Sequence, residues 1–361
     1  MIQDARKPVI RFIDLFCGIG GFRIAAEQAA RLLGVRSECL LSSDIDEPCQ
    51  IAYEANFKHK TLGDITKISA DSIPDHDLLL AGFPCQPFSI IGQRKGFEDT
   101  RGTLFFEIAR ILEVKRPSAF VLENVKMLKG HNGGKTLNRI MEALRALGYI
   151  CDYRVLNALD FGLPQKRERI FIVGYKKPCP FVWPYGKVKM TPLSRILEQN
   201  VPKEYFASEY IRNNRLARHA PTEMPTIWHE NKAGNISVYP YSCAMRAGAS
   251  YNYLLVNGER RLTPREMLRL QGFPDSYKIV CNYSQTRKQA GNSLPVPVAQ
   301  SVLFQLFAAQ GWHNGVYDDS LKQEESVHGQ MILLERRAKY GRKKKPEAAY
   351  CRKICSPLSD K

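Results

Sequence analysis

The sequence predicts an α/β fold, a doubly wound and mostly parallel sheet, with a second, smaller irregular domain. Three observations carry this. From Val9 to Tyr175, short apolar segments alternate with segments of helical period. A glycine turn, CGIGG at 17–21, joins the first strand to the first helix. Over residues 176–258 the periodicity disappears among prolines, aromatics and asparagines, and it returns near Arg260.

The elements follow in order. VIRFIDLF (9–16) reads as a strand and FRIAAEQAARLL (22–33) as a helix. ECLLSSD (38–44) is a second strand, and EPCQIAYEANF (47–57) a helix with Pro48 in its first turn. DLLLAGF (77–83) is a strand, TLFFEIARILEV (103–114) an amphipathic helix, and SAFVLENV (118–125) a strand. KTLNRIMEALRALG (135–148) is a helix stopped by glycine, and YRVLNAL and RIFIVGY are strand-like. RRLTPREMLRLQGFP (260–274) is regular again, a loop follows, and the second half of 291–310 is a helix behind Pro295 and Pro297. The tail beyond Gly311 is polar and then strongly basic.

At 361 residues the chain has room for two domains. Its 44% hydrophobic and 25% charged content is that of a folded water-soluble protein. No apolar run reaches the eighteen or so residues of a membrane span, and the N-terminus has no apolar signal core. A cytoplasmic protein without a membrane partner is expected. The net charge of +17 points to a polyanionic partner. Residues 336–361 hold ten Lys/Arg against Glu347 and Asp360, a surplus of +8, which leaves +9 on the rest. Ten cysteines are scattered without a CxxC pair or zinc-like spacing, so no metal is expected.

A ligand of such a sheet lies at its carboxyl edge, beside the glycine turn. Gly18 and Gly20 fit the start of the dinucleotide fingerprint, but its third glycine would fall on Arg23. That weighs against a pyrophosphate, and against a nicotinamide oxidoreductase. Asp44 ends the second strand, where a carboxylate can grip ribose hydroxyls. Asp64 is placed for the exocyclic amine of an adenine. An adenosine-bearing ligand without a pyrophosphate fits these residues; a packing turn with two surface aspartates remains the plain alternative.

Cys85 stands at the same edge in AGFPCQPFSI, its backbone stiffened by Pro84 and Pro87. Glu123 ends another strand, and Arg167 and Arg169 alternate with Glu168, so in an extended chain they share one face. Singly these read as buried filler, a cap and a solvated edge. Together, opposite a ligand turn, they read as a reactive site.

FIDLFCGIGGF, GFPCQPFS, ENV, QKRERIFIVG, LTPREMLRLQGFPDSY and AGNSLPVPVA stand in this order between residues 10 and 310. The series resembles the motifs of the cytosine carbon-5 DNA methyltransferases, with 176–258 as the variable part. The resemblance implies the class I S-adenosylmethionine-dependent methyltransferase fold in residues 1–175 plus 285–312. It implies a target-recognition domain at 176–284, followed by a basic tail at 313–361.

It further implies a type II modification methylase, working as a monomer on double-stranded DNA with S-adenosyl-L-methionine. A cognate restriction endonuclease would act on the same site without direct contact. Cys85 would add to carbon 6 of a flipped-out cytosine, so that carbon 5 can take the methyl group. Glu123 would hold or supply a proton at N3, Arg167 would contact the base carbonyl, and Arg169 would support the site. Phe16 and Ile45 would flank the adenine, with Asp44 on the ribose and Asp64 on the adenine amine. Gly18 and Gly20 form the turn, Phe83 with Pro84 shapes the wall, and Asn292 and Ser293 close the methionine end. Gln86, Ser89, Arg94, Lys95 and Arg101 would meet DNA from a closing loop. Arg246, in MRAGASYNY (245–253), is the candidate base-reading residue. The branch of the family that methylates transfer RNA, and an inactive sequence-specific binder, are the other readings.

Overall fold

The computed structural model describes residues 8–84, 104–220 and 222–313. Strands β1 (Val9–Leu15), β2 (Arg36–Ser43), β3 (Leu78–Gly82), β4 (Ala119–Val125), β5 (Ile150–Asn157) and β7 (Glu168–Tyr175) build one sheet; the two-residue β6 (Gln165–Lys166) lies apart. The sheet order is β2-β1-β3-β4-β7-β5. β2, β1, β3 and β4 pair in parallel, and β7 runs antiparallel to both its neighbours. The inner strands β3, β4 and β7 are largely apolar on both sides because both faces are covered, whereas the edge strands β2 and β5 expose polar residues. Helices α1 (Gly21–Leu32) and α2 (Glu47–Phe57) share one core with Phe12, Leu78 and Val121. Helices α3 (Leu104–Lys115) and α4 (Lys135–Ala146) share the other with Ile13, Leu79 and Phe120.

The expected alternation up to Tyr175 is observed, with boundary shifts of a few residues. The irregular stretch holds α5 (Glu209–Leu216) and a three-stranded antiparallel sheet of β8 (Ile227–Glu230), β9 (Ile236–Tyr239) and β11 (Leu254–Val256). β10 (Ser242–Cys243) pairs in parallel with β6, which ties this region to the motif strand. Ile227, Met245, Leu254 and Val256 belong to the same core as α1.

Helix α6 (Pro264–Leu270) starts where LTPRE predicts. Thr263 is its N-cap, Pro264 fills the first turn, and Glu266 completes a capping box. The loop expected before residue 291 is instead helix α7 (Tyr283–Asn292), capped by Asn282, whose side chain accepts from Gln285 N. Its polar sequence has no apolar stripe to announce it. Helix α8 (Val296–Ala309) then returns onto α1 and joins its core through Val298, Val302 and Leu306.

Candidate active site

A crevice of about 680 Å³ opens at the carboxyl edge of the sheet, within the range of small-ligand sites. The glycine turn forms its floor. Phe16, Gly18 and Gly20 all have positive φ, at 54°, 51° and 83°. A Cβ on Gly18 would point into open space, whereas one on Gly20 would run into the Phe57 ring. Gly18 therefore lines the crevice, and Gly20 packs against α2. Gly20, expected as a ligand contact, is not among the residues that line the crevice; its missing side chain makes room for an aromatic ring.

Asp44 closes the same corner. Its Oδ2 accepts from Gly18 N at 2.7 Å and its Oδ1 from Asp46 N at 2.9 Å, while Gln50 Nε2 donates to its carbonyl. Burial pushes its carboxyl above the usual range, against the pull of those two amides. Ile45 is 75% exposed and borders the crevice, an apolar side chain without a protein neighbour to cover it. Asp64 accepts from Thr66 N and Thr66 Oγ1, and those bonds hold its carboxyl below the usual range.

Phe83, buried against Phe105, forms a wall with the exposed Pro84. Asn124 Nδ2 donates to Phe83 O at 2.9 Å and Asn124 Oδ1 accepts from Val125 N, so it fixes the ends of β3 and β4 together. Neither Asn124 nor Asp46 was singled out from the sequence, although Asn124 sits inside the ENV block. Asn292 and Ser293 border the crevice from the turn before α8. A Cβ on Gly21 would meet Ser293 Oγ at 3.1 Å, so this turn sits directly on the start of α1.

Glu123 faces Gly82 across the β3–β4 pairing and is 8% exposed. Arg169 Nε lies 2.9 Å from its Oε1. Burial raises the Glu123 carboxyl; Arg169, and next Arg167, oppose that rise. The net direction is upward.

The two motif arginines do not share a task. Arg169 borders the crevice. Arg167 is 0% exposed, and its guanidinium donates to three main-chain carbonyls: Met245 O at 3.0 Å, Gly291 O at 2.8 Å, and Ser293 O. Arg167, expected at the base carbonyl, has both Nη atoms bonded to the backbone behind the crevice, while its buried Nε has no hydrogen-bond partner among the described residues. Burial pushes its guanidinium down to about 9. Arg246 also borders the crevice, its guanidinium carbon 5.0 Å from the Tyr253 ring centroid. Its backbone reaches that place because a Cβ on Gly291 would come within 2.6 Å of Ala247 N, so only glycine allows the approach.

Cys85, Gln86, Ser89, Arg94, Lys95 and Arg101 lie outside the described residues, as does the tail from residue 314. Cys85 directly follows Pro84 in the chain. Among the described residues no group of His, Cys, Asp or Glu could hold a metal ion, and no helix is long and apolar enough to cross a membrane.

The donor set of the crevice suits an adenosine without phosphates. Asp44 and Asp64 supply acceptors. Arg23, two residues beyond the glycine turn, is turned onto Phe57, 4.5 Å from the ring centroid, and pairs with Glu27 at 2.9 Å.

A family model described as C-5 cytosine-specific DNA methylase matches residues 10–308. The type II methyltransferase M.NgoBI of Neisseria gonorrhoeae is 55% identical over 293 residues, which cover 80% of this chain and 90% of that protein. M.HaeII of Haemophilus aegyptius is 54% identical with the same coverage, and M.HhaI of Haemophilus parahaemolyticus 38% identical over 84% and 96%. Among solved structures, the S. pombe Dnmt2 methyltransferase aligns with a TM-score of 0.63 at 21% identity, covering 83% of this chain and 98% of that one. At that identity the likeness speaks to fold alone.

Proposed function

Since the chain belongs to the C-5 cytosine-specific DNA methylase family, we propose that it methylates carbon 5 of a cytosine extruded from a specific double-stranded DNA sequence. It acts as the modification enzyme of a type II restriction–modification system, and protects that sequence from a cognate endonuclease it need not touch. The observation that carries this reading is the buried Glu123–Arg169 pair lining the same crevice as Asp44 and Asp64.

S-adenosyl-L-methionine, when bound, supplies an electrophilic methyl group. Asp44 would hold its ribose hydroxyls and Asp64 its adenine amine, with Phe16 and Ile45 on either side of the ring. Gly18 leaves room at the turn; Phe83, Asn292 and Ser293 would enclose the methionine end.

The Cys85 thiolate would add to carbon 6 of cytosine and make carbon 5 nucleophilic. Glu123 would hold a proton at N3 as charge builds on the ring. Arg169 would orient Glu123 and face the base, the role first expected of Arg167. Arg167 would act behind it as a positioning residue. Extruding the base costs a few kcal/mol, offset by phosphate contacts that the net charge of +17 favours. Residues 176–284 would read the sequence with Arg246 at the crevice, and Gln86, Ser89, Arg94, Lys95 and Arg101 would cover the flipped base. The protein would act as a monomer in the cytoplasm.

The test is transfer of labelled methyl groups to duplex DNA and to transfer RNA, with a Cys85→Ser control. Transfer to DNA alone, lost in Cys85→Ser, is expected. Full activity of Cys85→Ser, or no covalent adduct with a duplex carrying 5-fluorocytosine at the methylated position, would overturn the mechanism. Bisulfite sequencing of DNA from expressing cells identifies the sequence. Deleting residues 336–361 should weaken DNA binding at low salt and leave the methylated sequence unchanged.

A further inference from the structure

An aromatic and cationic ladder stands where α7 leaves the crevice. Tyr251 and Tyr283 stack with ring centroids 5.9 Å apart at 23°. The Arg287 guanidinium carbon lies 4.5 Å from the Tyr251 centroid. That of Arg261 lies 5.2 Å from Tyr283 and 5.8 Å from Tyr251. Tyr205 meets Tyr283 edge-on at 5.5 Å, and the Tyr251 hydroxyl donates to Ser284 Oγ at 3.1 Å.

The arginines are held by carbonyls, not by carboxylates. Arg287 Nη1 donates to Ala249 O at 2.7 Å, and Arg261 donates to the carbonyls of Glu204 and Tyr205. Among the described residues neither makes an ion pair; both side chains are half-buried, and Arg287 Nε is buried without a hydrogen-bond partner. Tyr251 is 44% exposed, which leaves the ladder open to solvent. A brace meant only to fix the 245–253 loop would need neither uncompensated charge nor an exposed ring.

The ladder's position names its partner. Helix α7 puts Gly291 and Asn292 in the crevice and Tyr283 at its far end. At 1.5 Å per residue, Tyr283 lies about 12 Å from Gly291 along the helix. Planar guanidiniums pre-oriented on aromatic faces suit phosphate oxygens.

We propose that Arg261 and Arg287, held by Tyr251 and Tyr283, bind the sugar–phosphate backbone of the DNA that flanks the extruded cytosine. They add affinity without reading sequence. This rests on the reading of the chain as a DNA methyltransferase.

The test uses the full chain and a 30-base-pair duplex, with binding followed by fluorescence anisotropy between about 50 and 200 mM salt. Each phosphate that the protein no longer neutralises lowers the slope of log affinity against log salt by about 0.9. The Arg261→Gln/Arg287→Gln variant should lose up to about 1.8 of slope. Over that salt range the unaltered protein then loses about tenfold more affinity than the variant. Arg261→Lys/Arg287→Lys keeps the charges and should keep most of the slope. If the double glutamine variant unfolds, each single variant should show about half the change. A glutamine variant that is folded, binds cofactor and keeps the full slope overturns the proposal; so does one that methylates a different sequence. Methyl transfer by the unaltered protein is scored separately, so failure of the methyltransferase reading appears as no transfer, and failure of the ladder as an unchanged slope.

Discussion

Arg169 Nε sits 2.9 Å from Glu123 Oε1, and the two side chains link β4 to β7 at the carboxyl edge of the sheet. The pair sets a balance: burial raises the carboxyl, and the guanidinium is the largest influence pulling it back. Arg169→Gln removes that restraint, so Glu123 should keep its proton to higher pH. The limb of the kcat/KM profile belonging to Glu123 should then move to higher pH, and the rate should fall about 10²–10³-fold. A limb that stays in place, or moves down, would separate Arg169 from the titration of Glu123.

Arg167→Met should lower stability by about 3–5 kcal/mol, measured by urea unfolding. It removes a buried cation and leaves the carbonyls of Met245, Gly291 and Ser293 without donors. Arg167→Lys should lose less, because an ammonium can still reach one or two of them. A loss under about 1 kcal/mol in Arg167→Met would show that these carbonyls find other donors.

The two glycines on either side of Ile19 should fail differently. Gly18→Ala meets no neighbour and bears only the left-handed backbone cost of about 1–2 kcal/mol, so its main loss should be cofactor affinity. Gly20→Ala adds a collision with Phe57, and should lose about 1–3 kcal/mol more stability. Calorimetric titration with cofactor beside thermal unfolding separates the two; equal loss of stability would contradict the assignment.

Asp14, on β1 beside Ser42 of β2, is fully buried, and neither of its carboxylate oxygens has a hydrogen-bond partner by distance and angle. Burial lifts its carboxyl to about 8 from an ordinary 3.8. The folded chain therefore binds this proton more tightly than the unfolded one. The resulting stability is fully present below about pH 4 and is lost as pH rises through about 8. The thermal midpoint should fall as pH rises from about 4 to about 8 and level off above that, with a shallower fall in Asp14→Asn. Parallel curves for the two proteins would count against a protonated Asp14.

Most of the sheet was legible because strands buried on both faces are uniformly apolar, and helices beside them carry a stripe. Helix α7 was not, because its polar residues are held by a cap and by contacts from distant segments, as where Gln289 Nε2 donates to Pro48 O at 2.9 Å. Among site residues, Glu123 and Asp44 could be placed from strand ends alone. The division between Arg167 and Arg169 could not, because alternation along a strand says which face a side chain takes and nothing about what waits there.

The order of apolar segments, the glycine turn and the motif blocks determined the fold class and the chemical types gathered at the sheet's edge. These are local properties, written in periodicity and backbone freedom. Which arginine reaches Glu123, which glycine is open, and how the 245–253 loop comes to rest on Gly291 were decided only by folding. Each depends on a partner tens of residues away, and a linear pattern carries no record of who meets whom.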